Sequence, residues 1–129
     1  MTGRQLPVII HTYKHTMERN IMVTAEQIKA GKTLAEQATV AMYNRMGRKD
    51  AYAWGFAWVD VFVDRTNSKQ ARELIAAGFK KDYKPKCLSM WNPGELPVQN
   101  IDIKEAGASA AAQVFTRHGF VAYAGSRAD

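Results

Sequence analysis

One stretch of alternating residues, Ala51 to Val63, constrains the fold more than any other part of the chain. Successive side chains of a β-strand point to opposite faces, so alternation with a period of two indicates a strand. The aromatic face would carry Tyr52, Trp54, Phe56, Trp58 and Phe62, and the small face Ala53, Gly55, Ala57, Val59, Val61 and Val63. Other elements must cover the small face, whereas the aromatic face is core, interface or a stacking surface.

The composition is that of one small, basic domain. With 129 residues, of which 47% are hydrophobic and 23% charged, we expect a single domain over residues 1–129. The net charge of +6 favours anionic partners such as nucleic acid, nucleotides or an acidic protein surface. No apolar run reaches the roughly 20 residues of a membrane span, so no membrane partner is expected. The single cysteine, Cys87, cannot form an intrachain disulfide and favours a cytoplasmic location.

Helix signals flank the aromatic strand on both sides. Residues 1–23 have no clear period, and we interpret them as a loose N-terminal arm or a short strand. Apolar residues then recur at helical spacing and predict a helix from Thr24 to Met46. After the aromatic strand, a second helix is expected over residues 68–77, where Gly78 would end it.

The next segment has the pattern of a hairpin. Residues 87–91 are rich in apolar side chains and read as a strand. Pro93 and Gly94 suit the central positions of a turn, so residues 96–100 are expected to return as the second arm. Pro97 would make that arm an edge strand or an irregular one.

The last third predicts a helix and a strand. A third helix is expected over residues 103–118 with Asp102 as its N-cap, followed by a strand over residues 120–124 and a polar tail over residues 125–129. The order strand, helix, strand, strand, helix, strand is that of the split βαβ unit. We therefore expect an α+β domain of the ferredoxin-like type (β-α-β-β-α-β), preceded by an N-terminal helix.

The segment Gly55–Val61, G-F-A-W-V-D-V, resembles the RNP1 strand of RNA-recognition motifs. It differs at two positions, because Trp54 stands where the motif has a basic residue and Val61 where it has an aromatic one. In that family a further strand separates RNP1 from the preceding helix, whereas here only residues 48–50 do so. The resemblance implies stacking of bases on exposed aromatic rings, each worth about 1–3 kcal/mol. The alternative is that these rings are buried under the N-terminal helix or in a dimer interface.

Basic residues are densest after the second helix. Lys80, Lys81, Lys84 and Lys86 lie close together, and Tyr83 stands among them. Such a segment suits a phosphate backbone. It also suits a solvated edge strand that uses lysine against aggregation, and the two roles are compatible.

Residues with the chemistry of catalysis or metal binding are sparse. His11 and His15 are four residues apart, but no recognised metal motif accompanies them, so neither a metal nor a cofactor is predicted. Asp60 and Asp64 could act as a carboxylate pair, although strand-end polar roles are commoner. Cys87 lies among apolar residues and reads as an unreactive core thiol. No catalytic residue is assigned, and an enzyme is not the expected class.

Short motifs in the second half of the chain are similar to those of small uncharacterised proteins encoded by phages. The residues that carry the resemblance are Trp58-Val59, Lys104-Glu105-Ala106, and Ser126-Arg127 with Asp129. It implies a phage or mobile-element accessory protein and no particular activity.

Together these features predict a small non-enzymatic protein that binds RNA or single-stranded DNA. The residues expected at the interface are Trp54, Phe56 and Trp58 for stacking and Lys80, Lys81, Tyr83, Lys84 and Lys86 along the lysine-rich edge. A first alternative is a protein–protein interaction module, either a homodimer or a binder of a host protein, that uses the aromatic face. A second is a nucleotide or small-molecule binder with a pocket between the N-terminal helix and the sheet.

Overall fold

Three helices and four strands make up the described chain. The computed structural model describes the backbone of residues 9–129 and the side chains of residues 25–129. In chain order the elements are α1 (Ile9–Arg45), β1 (Gly55–Phe62), α2 (Lys69–Ala76), β2 (Lys80–Lys81), β3 (Cys87–Trp91), α3 (Ile101–Arg117) and β4 (Val121–Ala128). None of the helices in residues 9–129 combines the length and the apolarity that crossing a membrane requires.

The first helix begins upstream of its predicted start. The structure assigns α1 from Ile9, whereas the apolar spacing predicted a start at Thr24. Residues 1–8 lie outside the described chain, so the loose arm or short strand predicted there is not described. The contacts of α1 are known from Ala25 onward.

The four strands form one antiparallel sheet with the order β2-β3-β1-β4. The aromatic strand is therefore central, as β1, and pairs with β3 on one side and β4 on the other. In this register Trp58 lies opposite Trp91, and Gly55 lies opposite Ala128. The short β2 strand and the long β4 strand are the two edges of the sheet.

The small face of β1 lies at the centre of the core, as its residue pattern predicted. Val59 and Val61 are fully buried and belong to the same cluster as Leu74 of α2 and Phe115 of α3. Burying each of these side chains contributes about 1.5–3 kcal/mol. The helices α2 and α3 thus cover one face of the sheet.

Helix α1 packs on the helical side of the sheet, mainly against α3. A Cβ atom at Gly31 would lie 2.6 Å from the Phe115 ring, so a glycine there allows the two helices to approach. Further along, Thr39 is buried beside Gly107 of α3, and its hydroxyl donates to the Ala35 carbonyl at 2.8 Å. In residues 25–45, therefore, α1 does not cover the aromatic face, and the alternative that placed it there is wrong for that segment.

The predicted hairpin between residues 87–91 and 96–100 is wrong. The strand over residues 87–91 exists as β3, but its hairpin partner is β2, which precedes it. The turn at residues 92–95 does form, since Glu95 N donates to the Asn92 carbonyl at 2.9 Å. In the segment after this turn, the backbone N–H groups of Gln99 and Asn100 do not bond to β3. They donate to the Asp50 carboxylate at 2.8–3.0 Å. Side-chain acceptors thus replace a β-ladder there.

Both ends of the last helix–strand unit differ from the prediction. The N-cap of α3 is Asn100 rather than Asp102, because its Oδ1 accepts from Ile103 N at 3.0 Å. The same side chain donates to the Ala51 carbonyl at 2.6 Å, which ties α3 to the entry of β1. The predicted polar tail after residue 124 is wrong, since residues 125–128 continue β4 and pair with the start of β1.

Candidate functional site

The side of the sheet away from α2 and α3 is the open face. Directly opposed residues on antiparallel strands point to the same face, so the register defines its members. They are Phe56, Trp58, Asp60 and Phe62 of β1, Lys80 of β2, Cys87, Ser89 and Trp91 of β3, and Val121, Tyr123, Gly125 and Arg127 of β4. Trp91 is 50% exposed and Tyr123 61% exposed, so a ligand can reach this face.

Three aromatic side chains form a continuous surface, the tryptophan platform (Phe56, Trp58 and Trp91). The indoles of Trp58 and Trp91 stack with centroids 4.8 Å apart and planes inclined by 26°. Phe56 meets Trp91 edge-on at 5.7 Å. Trp58 lies across Gly125, where a Cβ atom would come within 2.5 Å of its Nε1, so only glycine leaves room for the indole against the sheet. The platform therefore presents aromatic rings of the kind on which bases stack.

Positive charge flanks the platform. The guanidinium of Arg127 lies 5.5 Å from the Phe56 ring centroid, and the ammonium of Lys104 lies 5.3 Å from it. Cations at this distance are attracted by the electron-rich face of the ring. Lys104 also donates to the Gly55 carbonyl at 2.9 Å, whereas Arg127 is exposed. Lys80 adds an exposed cation at the β2 edge.

A polar cluster lies beside the platform on the same face. Asp60 is buried, and the Ser89 hydroxyl donates to its Oδ1 atom. The Lys84 ammonium lies 3.2 Å from Asp60 Oδ2 and 2.9 Å from Asp82 Oδ2. Lys84 therefore compensates two carboxylates and lets Asp60 remain buried within an otherwise aromatic surface.

The protonation of this cluster follows from these contacts. The hydrogen bond to Asp82 and the attraction of Asp60 raise the pKa of Lys84 above its ordinary value. The hydrogen bond from Lys84 lowers the pKa of Asp82. Burial, reinforced by the negative charge of Asp60, raises the pKa of Cys87 to about 11, so this thiol stays protonated at neutral pH. The prediction of an unreactive thiol agrees with this environment.

The donor set of this cluster does not suit a metal ion. Ligand atoms of Asp60, Asp82 and Cys87 lie within 4.8 Å of one another. A divalent cation would have to displace the Lys84 ammonium, which already contacts both carboxylates, and to deprotonate the thiol. Asp64 is exposed beyond the end of β1 and lies outside this cluster. The side chains of His11 and His15 lie outside the part that the structure describes.

The structure brings together two of the three predicted stacking residues. Phe56 and Trp58 belong to the platform. Trp54 precedes β1, where its backbone bridges to Asn100 and its ring meets Tyr52 edge-on at 5.8 Å. Trp54 thus pairs with a different aromatic ring, and within residues 25–129 no aromatic pair joins it to the platform.

The predicted basic residues occupy different positions around the β2–β3 hairpin. Lys80 points to the open face and Lys81 to the opposite one, and both are exposed. Lys84 is held by its two carboxylates, and its ammonium also lies 4.8 Å from the Tyr83 ring centroid. Tyr83 is 91% exposed, and Lys86 is exposed where the chain enters β3. Lys80 is thus the cation of this group that shares the open face without a carboxylate partner among the described residues.

Two residues of this site, Trp91 of the platform and Arg127 beside it, were not among the predicted interface residues. Trp91 was assigned to a strand, but its face depends on β3 pairing antiparallel with β1, which alternation alone does not reveal. Arg127 falls in the predicted polar tail over residues 125–129, whereas the structure places it in β4. The sequence signal for a longer strand is that larger side chains at positions 121, 123 and 127 are separated by small ones, and that residues 120–128 contain no proline.

Clefts border the site and α1. One of about 390 Å³ lies beside the open face at the β2 edge, where Lys80, Lys81 and Asp82 face Ser89 and Trp91. A second, of about 450 Å³, is lined by α1 and α2 together with Ala77. This cleft lies between two helices, whereas the sequence predicted a pocket between the N-terminal helix and the sheet, and that pocket stays a prediction.

Comparison of the chain with models of protein families, with curated proteins and with solved structures finds no match in any of the three sets. The function is inferred from the chain's own residues.

Proposed function

We propose that the protein binds single-stranded nucleic acid, RNA or single-stranded DNA, across the open face of its sheet. The observation that carries this proposal is the stacked pair of Trp58 and Trp91, which lies on a sheet face that α2 and α3 do not cover. Unpaired bases stack on such rings whatever their sequence, because every base has a π-face. The bases of a duplex are already stacked, so single strands are the preferred ligand.

The charges around the platform support the same ligand. Arg127 lies beside Phe56 at one end, and Lys80 lies at the β2 edge. A strand whose bases lie on the platform would pass its phosphates close to these cations. The net charge of +6 adds long-range attraction for a polyanion.

The topology supports a finer assignment of the fold. We infer a ferredoxin-like domain, because the β-α-β-β-α-β order combines with the antiparallel strand order β2-β3-β1-β4. In such a two-layer arrangement the helices cover one face of the sheet. The other face is then available for a ligand.

A second candidate is contact with another protein. Val121 and Tyr123 continue the open face toward β4 and are 54% and 61% exposed. Exposed apolar side chains next to aromatic anchors are typical of protein interfaces. Salt should weaken binding through such an apolar interface far less than it weakens binding to a polyanion.

The test is a titration of the full chain with a single-stranded oligonucleotide, in which tryptophan fluorescence reports binding. The titration is repeated at increasing salt concentrations. We expect quenching on binding, because a base would stack on Trp91. If Lys80 and Arg127 each contact a phosphate, the logarithm of the affinity should fall with the logarithm of the salt concentration with a slope of about −1.4. Absence of binding at low salt, or an affinity independent of salt, would contradict the proposal.

A further inference from the structure

The two edges of the sheet are protected very differently. The β2 edge has two residues, both lysine, and Pro85 follows in its hairpin. Short length, lysine and proline are the features by which proteins prevent edge strands from pairing with other chains. The β4 edge has eight residues, V-A-Y-A-G-S-R-A, with Arg127 as its one charged residue and no proline. Such an edge is suited to pairing.

One side of β4 has no strand partner in the described chain. Across residues 9–129, β4 pairs with β1 alone, so its other side presents backbone N–H and C=O groups. One carbonyl near this end has a side-chain donor, since the Thr116 hydroxyl lies 3.5 Å from the Ala122 oxygen. The centre of the strand, Ala124 to Ser126, is exposed or half-exposed.

Where it borders this edge, helix α3 carries two charged residues of opposite sign, Glu105 and Arg117, and the Glu105 carboxylate accepts a hydrogen bond from the Ser126 hydroxyl of β4. Ser109, Gln113 and Thr116 recur along one side of α3, and all three are exposed and uncharged. Shallow clefts of about 330 and 420 Å³ separate α3 from β4. Ala108 and Ala112 line these clefts, so small side chains border the edge.

We propose that β4 pairs antiparallel with β4 of a second copy of this chain and forms a twofold-symmetric dimer. An antiparallel pair of identical strands is self-complementary, as a twofold axis requires. With Ala124 opposite Ala124 of the other copy, Tyr123 lies opposite Gly125 and Val121 opposite Arg127, so opposed residues share a face. No charged residue then faces its own copy across the junction, and the polar backbone of the edge is satisfied.

This pairing joins the two sheets into one of eight strands. A twofold axis perpendicular to the sheet keeps both open faces on the same side. The two β1 strands would be three strand spacings apart, or about 14 Å. Both tryptophan platforms would then lie on one continuous surface. The dimer itself does not depend on nucleic acid, so it can fail or succeed independently of the proposed function.

The test is the molar mass of the full chain by light scattering, over a concentration series without nucleic acid. We expect the mass to rise toward twice 14.4 kDa. The variant Ala124→Glu places two carboxylates near the twofold axis and should return the mass to that of the monomer. Ala124 is exposed, so the monomer should keep its circular dichroism spectrum. The matched control Ala76→Glu adds the same charge at an exposed position of α2 and should remain dimeric.

Hydrogen exchange of the wild-type chain provides a readout that requires no variant. Amides of β4 should become more protected as the concentration increases. A wild-type chain that stays monomeric at every concentration would overturn the proposal. A dimer that Ala124→Glu leaves intact would also overturn it. So would a dimer that Trp91→Ala disrupts, if the protection of the β4 amides does not increase with concentration.

Discussion

Trp58 of β1 stacks on Trp91 of β3, with ring centroids 4.8 Å apart and planes inclined by 26°. The contact exists because the two residues are directly opposite in the antiparallel register. Trp91 is half-exposed at the end of its strand, whereas Trp58 is held against Gly125. One indole of the pair is thus fixed on the sheet, and the other is available to a ligand.

The buried carboxylate beside this pair should depend on its hydroxyl partner. Replacing Ser89 by alanine removes the donor to Asp60 Oδ1 and leaves a buried charged acceptor less satisfied. We expect Ser89→Ala to lower the free energy of unfolding by about 1–3 kcal/mol, measured by urea denaturation. The control Ser109→Ala removes an exposed hydroxyl of α3 and should change it little. Equal stability of the two variants would contradict the role given to Ser89.

Asn100 should matter for two separate reasons. Its Oδ1 caps α3, and its Nδ2 donates to the Ala51 carbonyl. Asn100→Ala should therefore cost at least the 1–2 kcal/mol or so that is typical of a lost N-cap, measured by thermal or urea unfolding. Asn100→Asp keeps the acceptor and loses the donor, so its stability should lie between those of the wild type and the alanine variant. An aspartate variant as unstable as the alanine variant would show that capping contributes nothing.

The thiol of Cys87 should make stability depend on pH in the alkaline range. In the unfolded chain a thiol has a pKa near 8.5, whereas burial raises the pKa of Cys87 to about 11 in the folded chain. Below about pH 8.5 both states hold the proton, and above it the unfolded state releases it first. The free energy of unfolding should thus fall, by on the order of 1–3 kcal/mol, as the pH rises toward 11.

Comparison with Cys87→Ala isolates this contribution from other alkaline titrations. The difference in unfolding free energy between wild type and variant should shrink as the pH increases from about 8 to about 10.5. In the folded chain the buried thiol of Cys87 should also react slowly with a soluble alkylating reagent. A difference that stays constant with pH would show that the thiol ionises equally in both states.

The guanidinium beside Phe56 should affect affinity through charge. Arg127→Gln removes one cation, so the salt dependence of binding to a single-stranded oligonucleotide should become shallower by about 0.7 in slope. Lys69→Gln removes an equal charge from exposed α2 and should leave the slope unchanged. If the two variants have identical slopes, Arg127 does not contact phosphate.

Local patterns predicted much of the element order. The alternation in residues 51–63 predicted a strand whose small side is buried, because burial of one face imposes a period of two. The strand itself is shorter than that pattern, since β1 spans Gly55–Phe62. Ser68 and Gly78 correctly bounded α2, because caps act through adjacent backbone groups.

Non-local partners explain what local patterns could not predict. Asp50 satisfies two amides some fifty positions along the chain, which removes the need for a strand at residues 96–100. The face on which Trp91 lies depends on strand pairing, and the strand identity of Arg127 depends on β1 extending alongside it. The aromatic residues of β1 were predicted from the sequence. Placing Trp91 and Arg127 beside them required knowledge of how the strands pair.

The central claim is that bases stack on the tryptophan platform, and Trp91→Ala tests it most directly. We expect this variant to bind a single-stranded oligonucleotide about 10- to 100-fold more weakly, which corresponds to about 1–3 kcal/mol for one stacked base. Tyr52→Ala removes an aromatic ring that is 77% exposed but lies outside the platform, and it should bind as the wild type does. A Trp91→Ala variant that is folded and binds with wild-type affinity would contradict the claim.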